Sequence, residues 1–298
     1  MDIACSPITW QVRRQPDSPY AGEAGYARLL DEVRQAGYSH FTAGQGSGRQ
    51  EATPVEVLAT LREHDLQPAP TGIGGYALHE TAARDEAVAQ ARLAARFARE
   101  LGLDALFVMP SGNRWDTPGH YPQGHRPDGM TEAQYATSCE TLNQMGAACR
   151  ESGVWLALHN HAGRYWETDE EFQRVIDGTD PALVGLGPDV GHLVWGGIAP
   201  LPWFRSHMER VKSIHIKDMH AAILRRCADE KLTYRQTSDL GVFAEIGEGC
   251  VDWAALFGFW REAGYGGAVI VETDRTTKPT AQESATISRR YLRDVIGI

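Results

Sequence analysis

The stretch "VWLALHNHAGRYWETDEEFQRVIDGTDPALVGLGPD", residues 154–189, decides the fold. It begins with an apolar strand at 154–160 and ends with a second one at 183–189. Between them, residues 167–178 carry apolar side chains at helical spacing. A strand, a helix and a strand in this order predict a parallel βαβ unit, in which both strands end at the same edge of the sheet.

The same alternation runs along the whole chain. The strand candidates are residues 2–6, 38–42, 66–73, 105–110, 154–160, 183–189, 211–218 and 267–273. Apolar periodicity predicts helices over residues 23–37, 54–65, 84–102, 131–153, 167–178, 201–211, 252–264 and 280–297. Eight strands, each followed by a helix, predict an α/β (β/α)8 TIM barrel, and 298 residues suit one such domain over 1–298.

A doubly wound open sheet is the alternative architecture. It is disfavoured because no G-x-G-x-x-G fingerprint follows the first strand. Two long loops are expected, at about 111–130 and 219–249. Loops of this length in a compact domain are usually lids or substrate-binding segments.

Composition narrows the range of partners. Thirty-nine acidic residues against 29 basic ones give a net charge of −10, which disfavours nucleic acid and favours small molecules or cations. Five cysteines without a C-x-x-C pair predict neither a disulfide framework nor a thiolate zinc site. The start "MDIACSPITW" lacks signal-peptide character, and no apolar stretch approaches the roughly 20 residues that cross a bilayer. We therefore expect a cytoplasmic protein without a membrane partner.

Four consecutive strand ends carry side chains that can bind a metal or move a proton. These residues are His159, His161, Asp189, His192, His215, Lys217, Asp218, Glu272 and Asp274. Each alone is an ordinary polar residue at a strand end, but a barrel gathers all its strand ends into one mouth. Nitrogen and carboxylate ligands without thiolates suit Mn, Co, Fe, Ni or Zn, with one position left for substrate. A divalent ion bound to the carbonyl and hydroxyl oxygens of a sugar would acidify the neighbouring C–H.

Several motifs resemble a known family. "PDVGH" (188–192), "HIKD" (215–218) and "VIVET" (269–273) resemble motifs of the xylose-isomerase-like barrel superfamily, which includes sugar isomerases, ketose epimerases, endonuclease IV and inosose dehydratase. "SPITW" near the start, the 154–189 stretch and above all "GVFAEIGEGCVDW" (241–253) resemble inosose dehydratases. The resemblance covers nearly the whole chain.

The resemblance implies a ligand set and a cofactor. The superfamily holds its metal with a Glu, an Asp, a His and a second Glu; the last three fall on Asp189, His215 and Glu272, and the first falls on His159. The implied cofactor is one divalent ion, with Mn or Co preferred and Fe, Ni, Zn or Mg as alternatives. A neutral His in place of Glu leaves the ion more positive, which favours proton abstraction followed by loss of a β-hydroxyl.

We also assign roles to individual residues, with His161 and His192 as substrate contacts that the resemblance implies. Glu272 is the expected base, and His192 and His161 are candidates for protonating the leaving hydroxide. Lys217 is expected to bind substrate hydroxyls or to fix a ligand carboxylate. Trp10 could form an apolar wall against the substrate or simply plug the barrel rim. Glu248 is a predicted substrate contact that could instead sit in a turn.

The expected activity is metal-dependent dehydration of a keto-cyclitol (an inosose) or a related keto-sugar. Ketose isomerisation or epimerisation, and β-elimination from a 3-keto-glycoside, start with the same proton abstraction and stay open. The non-enzyme alternative is a sugar-binding protein on a degenerate barrel. Endonuclease IV-like chemistry is disfavoured because Met109 stands where that family has a metal-binding histidine. The run "FTAGQG" departs from the inosose dehydratase pattern, so a substrate contact near residues 43–46 is expected to differ. Homo-oligomers are common among such barrels, although no motif here predicts one.

Overall fold

The computed structural model describes residues 1–10, 18–43, 52–124 and 129–298. In these residues the strands are β1 (Asp2–Cys5), β2 (His40–Phe41), β3 (Gln67–Pro68), β4 (Gly72–Ile73), β5 (Ala105–Val108), β6 (Trp155–Leu158), β7 (Val184–Leu186), β8 (Ile214–Ile216), β9 (Asp218–Met219), β10 (Phe243–Ala244) and β11 (Ala268–Val271). The helices are α1 (Gly22–Gln35), α2 (Pro54–Glu63), α3 (Arg84–Glu100), α4 (Glu132–Arg150), α5 (Asp169–Gly178), α6 (Val190–Trp195), α7 (Pro200–His207), α8 (Ala221–Asp229), α9 (Tyr234–Asp239), α10 (Trp253–Glu262) and α11 (Ala281–Tyr291).

The predicted α/β barrel is confirmed. One group of parallel strands runs in the order β3-β2-β1-β11-β8, and a second runs β4-β5-β6-β7. Parallel bridges from Leu186 to Val211 and from Asp189 to His215 join β7 to β8. Because β3 and β4 follow each other directly in the chain, they share one position in the ring, and the barrel has eight positions.

The predicted third strand, 66–73, is split in two. Pro68 ends β3, and Pro70 lies in the gap before β4. Proline has no backbone N–H to give to a neighbouring strand, so pairing is interrupted at this point. Ala69 N–H still bonds to the Phe41 carbonyl on one side, and the Thr71 carbonyl accepts from Phe107 N–H on the other.

Local sequence explains where the helices begin. In α5, the Thr168 hydroxyl accepts from the backbone of Glu171, whose carboxylate accepts in return from the N–H of Thr168. This capping box satisfies N–H groups that the first turn leaves free. Phe172, Val175 and Ile176 are buried and turn the apolar face of α5 toward the barrel.

The expectation of a long loop over 219–249 was wrong. This segment contains α8 and α9, and β10 pairs antiparallel with β9. The apolar positions of α8 include Leu224 and Cys227, which are buried. No helix of the described residues is long and apolar enough to span a bilayer.

Candidate functional site

The strand ends bring the predicted ligand-type side chains together. His159 follows β6, Asp189 follows β7, His215 lies in β8, and Glu272 follows β11. All four are at most 9% exposed. His161, His192, Lys217 and Asp274 lie in the same buried cluster.

Backbone carbonyls orient two of the histidines. His159 Nδ1 lies 3.2 Å from the Gly187 carbonyl oxygen, and His161 Nδ1 lies 2.6 Å from the Ala162 carbonyl oxygen. A carbonyl only accepts, so Nδ1 is the protonated nitrogen in both rings and Nε2 keeps its lone pair. This arrangement, with the outer ring nitrogen donating to a carbonyl, is typical of histidines that bind metals.

Asn160, between those histidines, fixes the backbone of Asp189. Its side-chain oxygen accepts from Asp189 N–H at 2.8 Å, and its amide nitrogen donates to the Asp189 carbonyl at 3.4 Å. Asp189 in turn caps α6, because its Oδ1 accepts from His192 N–H at 3.0 Å. Only Oδ2 of Asp189 is therefore left to face the cluster.

His215 and Glu272 form the least saturated part of the cluster. Neither ring nitrogen of His215 has a hydrogen-bond partner in the described part of the chain, although the side chain is fully buried. Its Nε2 lies 3.8 Å from Glu272 Oε1. Two ligand atoms that each bind one ion at about 2.0–2.2 Å lie no more than about 4.4 Å apart. The Phe107 ring packs edge-on against His215, with centroids 4.3 Å apart, and limits its movement.

A second group of ligand atoms lies beside this pair. One ligand atom from each of His161, His192 and Asp274 lies within 4.8 Å of the others, and all three residues are buried. His192 Nε2 is 3.5 Å from Asp274 Oδ2, which also accepts from the Tyr234 hydroxyl at 3.2 Å. A buried His/His/Asp triad of this kind can hold a divalent ion.

Lys217 lies between the two groups. Its ammonium is fully buried, and it contacts four acceptor atoms: Asp274 Oδ1 at 2.9 Å, His192 Nε2 at 3.0 Å, Asp189 Oδ2 at 3.2 Å and Glu272 Oε2 at 3.4 Å. Gly191 makes room for the lysine stem. A Cβ at residue 191 would lie 2.1 Å from Lys217 Cγ.

Among the described residues, the cluster carries more negative than positive charge. Three of their carboxylates, those of Asp189, Glu272 and Asp274, face the ammonium of Lys217. Burial and the neighbouring carboxylates raise the pKa of Glu272 to about 7 and that of Asp189 to about 6. Burial would lower the pKa of Lys217, but the carboxylates hold it well above its usual value. A divalent cation would balance the excess of two negative charges.

The four imidazoles favour the neutral form that metal binding requires. Burial lowers the pKa of His161 and His215 to about 3, and the Lys217 ammonium acts in the same direction. The same causes place the pKa of His159 and His192 well below its usual value. Neutral imidazoles, spare carboxylate oxygens and an unpartnered buried nitrogen fit a divalent ion.

The two segments expected as long loops meet beside the cluster. Trp115 stacks on Tyr234 of α9, with ring centroids 5.5 Å apart, and Arg235 forms an ion pair with Asp116 at 2.6 Å. Tyr234 connects this contact to Asp274. Sequence reasoning missed Tyr234, since nothing local in α9 marks it as a site residue.

Two predicted substrate residues have their polar groups paired with other side chains. Trp10 is 3% exposed in the main apolar core, and its indole N–H donates to Glu32 at 2.8 Å. Glu248 is exposed and pairs with Lys278 at 2.6 Å, as a turn residue would. Of residues 43–46, all but Ala43 lie outside the described residues.

The chain is thus a parallel eightfold barrel with a buried His/carboxylate cluster at its strand ends. Residues 30–295 match the family model described as xylose isomerase-like TIM barrel, so the chain belongs to this family.

Similar proteins agree with this assignment. An inosose dehydratase of Geobacillus thermodenitrificans is 27% identical over 298 residues, covering 99% of this chain and 97% of that protein. The IolI protein, solved with a bound zinc atom, superposes with a TM-score of 0.71 at 16% identity and covers 99% of this chain and 98% of that one. A D-allulose 3-epimerase from Methylomonas sp. gives a TM-score of 0.70 at 15% identity, covering 99% and 97%.

Proposed function

We propose that this protein is a metal-dependent lyase that dehydrates an inosose or a closely related keto-sugar. The observation that carries the proposal is the His215–Glu272 pair: a buried imidazole without a hydrogen-bond partner, 3.8 Å from a carboxylate oxygen, in a cluster with excess negative charge. The full-length similarity to proteins named inosose dehydratase supports the choice of substrate class.

We assign the metal to His159, Asp189, His215 and Glu272. The free lone pairs of His159 Nε2 and His215 and the cluster-facing oxygens of Asp189 and Glu272 supply the donor set. A divalent ion held there supplies a Lewis acid that draws electron density from the substrate's carbonyl oxygen. Mn or Co is the preferred ion in this proposal, and the zinc in the IolI structure keeps Zn among the candidates.

Glu272 is the proposed base. It removes the proton on the carbon next to the ketone, and the electron pair left there expels the hydroxyl group on the adjacent carbon. The departing hydroxide takes up the proton that Glu272 accepted and leaves as water. Glu272 is thereby returned to its carboxylate form. A buried carboxylate whose pKa is raised to about 7 is well suited to take and return a proton near neutral pH.

The two histidine candidates for proton delivery differ. His192 Nε2 accepts a hydrogen bond from the Lys217 ammonium, so it has no proton to give at that atom. His161 Nε2 carries a free lone pair and can relay a proton that it has first received. We therefore infer that His161, rather than His192, assists Glu272.

The test is turnover of an inosose by purified protein loaded with Mn²⁺ or Co²⁺. We expect loss of one water by mass together with a new enone absorbance. Glu272→Gln should lower the rate by about 10²–10⁴-fold, the usual range for a general acid–base residue. The exposed-residue variant Asp229→Asn should match the wild type.

Other results would redirect the assignment. A product of unchanged mass would identify an isomerase or epimerase, and release of an alcohol from a 3-keto-glycoside would identify a glycoside lyase. If the protein binds a sugar, binds no metal ion and converts no substrate, the result would support the sugar-binding alternative.

A further inference from the structure

The cluster offers two neighbouring cation positions. The first lies between His215 and Glu272, with His159 and Asp189 nearby, and we call it position one. The second is surrounded by His192, Asp274 and His161, and we call it position two. Both are buried, and two carboxylates of position one also face position two across Lys217.

The two positions differ in how many of their acceptor atoms already receive a hydrogen bond. At position two, His192 Nε2 and Asp274 Oδ1 each receive a hydrogen from the Lys217 ammonium, at 3.0 and 2.9 Å. At position one, no donor among the described residues reaches either nitrogen of His215. Lys217 also contacts Oε2 of Glu272, whereas His215 faces Oε1. At position one the lysine therefore contacts one oxygen each of Asp189 and Glu272 and leaves His215 and Glu272 Oε1 open.

The Lys217 ammonium has no hydrogen to spare. It carries three N–H groups and lies within 3.4 Å of four acceptors, with no exposed surface. A lysine that binds substrate hydroxyls needs at least one free hydrogen directed at the substrate. Lys217 instead has the surroundings of a coordinated cation.

We propose that the ammonium of Lys217 is a built-in cation that fills position two, so that the site takes up one divalent ion, at position one. The inference rests on the proposed metal-dependent function. Lys217 would then be a positioning residue: it holds Asp189, Glu272 and Asp274 in place and prevents a second ion from binding.

Charge balance supports this division. Three carboxylates require three positive charges, which one divalent ion and one ammonium supply. Removing the ammonium takes one positive charge away from position two, which is lined by two imidazoles and the Asp274 carboxylate. That combination of nitrogen and oxygen ligands suits a second Mn²⁺ or Zn²⁺.

The test counts bound ions. Metal-free wild type, Lys217→Ala, Lys217→Met and Lys217→Arg are titrated with Mn²⁺, and free Mn²⁺ is followed by its electron paramagnetic resonance signal. We expect one ion per chain for wild type and Lys217→Arg, which keeps the charge, and two for Lys217→Ala. Lys217→Met keeps most of the stem, so it reports on the loss of charge if the alanine variant does not fold, and two ions are expected there as well.

A double variant assigns the second ion to its position. Lys217→Ala combined with Asp274→Asn should return the count to one. One ion in wild type and still one in both Lys217→Ala and Lys217→Met would overturn the built-in cation, as would two ions in wild type. No ion in wild type or any variant would instead refute the metal-dependent function itself, so the two failures can be told apart.

Discussion

Lys217 and Asp218 are adjacent in the chain and both fully buried, but their surroundings differ completely. Lys217 points into the cluster, where its ammonium contacts the side chains of Asp189, His192, Glu272 and Asp274. Asp218 lies on the other side and accepts five hydrogen bonds: from the backbone N–H groups of Met219, Gly247, Gly249 and Val251 and from the Trp253 indole. Asp218 thereby holds the turn 247–251 against the barrel.

The difference separates a carboxylate whose hydrogen-bonding capacity is filled, that of Asp218, from a cluster around Lys217 whose acceptors are only partly satisfied. The carboxylate of Asp218 is saturated by four backbone donors and the Trp253 indole, and the backbone donors cannot move away without unfolding the turn. The Lys217 cluster has excess carboxylate charge and an unpartnered imidazole, and buried groups left in this state are costly unless a ligand completes them. In our proposal the same motif, "HIKD", therefore serves stability through Asp218 and the metal site through His215 and Lys217.

The largest expected effect is the loss of Asp218. Asp218→Ala removes the acceptor for five N–H groups, two of them buried and three part-buried, so we expect the free energy of unfolding to fall by about 3–5 kcal/mol. Urea unfolding followed by circular dichroism measures it. The exposed-residue variant Asp229→Ala should stay within about 0.5 kcal/mol of wild type. A loss below 1 kcal/mol for Asp218→Ala would contradict the structural role of this carboxylate.

The second-largest expected effect is the stabilisation by a bound metal ion, which should depend on the Lys217 cluster and not on Asp218. An ion present at about 100 times its Kd stabilises the folded state by about 2.7 kcal/mol if the unfolded chain does not bind it. Comparing urea unfolding with Mn²⁺ and with chelator, we expect this increment in wild type and in Asp218→Asn. His215→Ala should lose it, since this imidazole is a proposed ligand. An equal increment in His215→Ala would show that the ion binds elsewhere.

Gly191 gives a way to disturb Lys217 without replacing it. In Gly191→Ala the new methyl group would meet Lys217 Cγ at 2.1 Å and the Lys217 carbonyl oxygen at 2.9 Å. Such overpacking typically costs about 1–3 kcal/mol, and we expect this loss together with reduced turnover. Gly258 is a matched control, because it is also helical and a Cβ there has no neighbour within 4 Å. Gly258→Ala should be neutral or stabilising by up to about 1 kcal/mol. Equal unfolding free energies for the two variants would mean that Lys217 moves freely.

Much of the fold could be predicted because alternating strands and helices leave strong periodicities, as in residues 154–189. Strand ends could also be read directly, so the predicted ligand residues do meet in one cluster; their roles stay predictions. The break between β3 and β4 at Pro70 depends on a single missing N–H. The sequence pattern predicted a loop over 219–249 and did not indicate the helices α8 and α9.

Other features required three-dimensional contacts. Tyr234 reaches Asp274 from 40 positions away in the chain, and Gly191 matters only because the Lys217 stem passes beside it. The saturation of Lys217 depends on four residues from two strand ends and one helix. The hydrogen bond from the Trp10 indole to Glu32 likewise joins residues 22 positions apart, and the sequence does not show it.

The smallest expected effect on the unfolding free energy concerns Glu32, a third carboxyl group to set beside Asp218 and the carboxylates around Lys217. Burial tends to raise the pKa of this carboxyl, but hydrogen bonds from Trp10, Arg28 and Tyr20 together lower it. Like Asp218, it is saturated by donors, whereas the pKa of Glu272 and Asp189 is raised. A lowered pKa in the folded state adds stability that is complete above the ordinary value near 4.5 and is lost as the pH falls through the folded value.

Glu32→Gln should therefore be about 1 kcal/mol less stable than wild type at pH 7, since a charged acceptor is lost. The difference in unfolding free energy should shrink as the pH falls below about 4.5, because the wild-type carboxyl then becomes protonated and resembles the amide. Urea unfolding of both proteins at intervals between pH 7 and pH 3 measures this. A difference that stays constant over that range would mean that the Glu32 carboxylate is not stabilised by its three donors, and that saturation alone does not distinguish it from the carboxylates around Lys217.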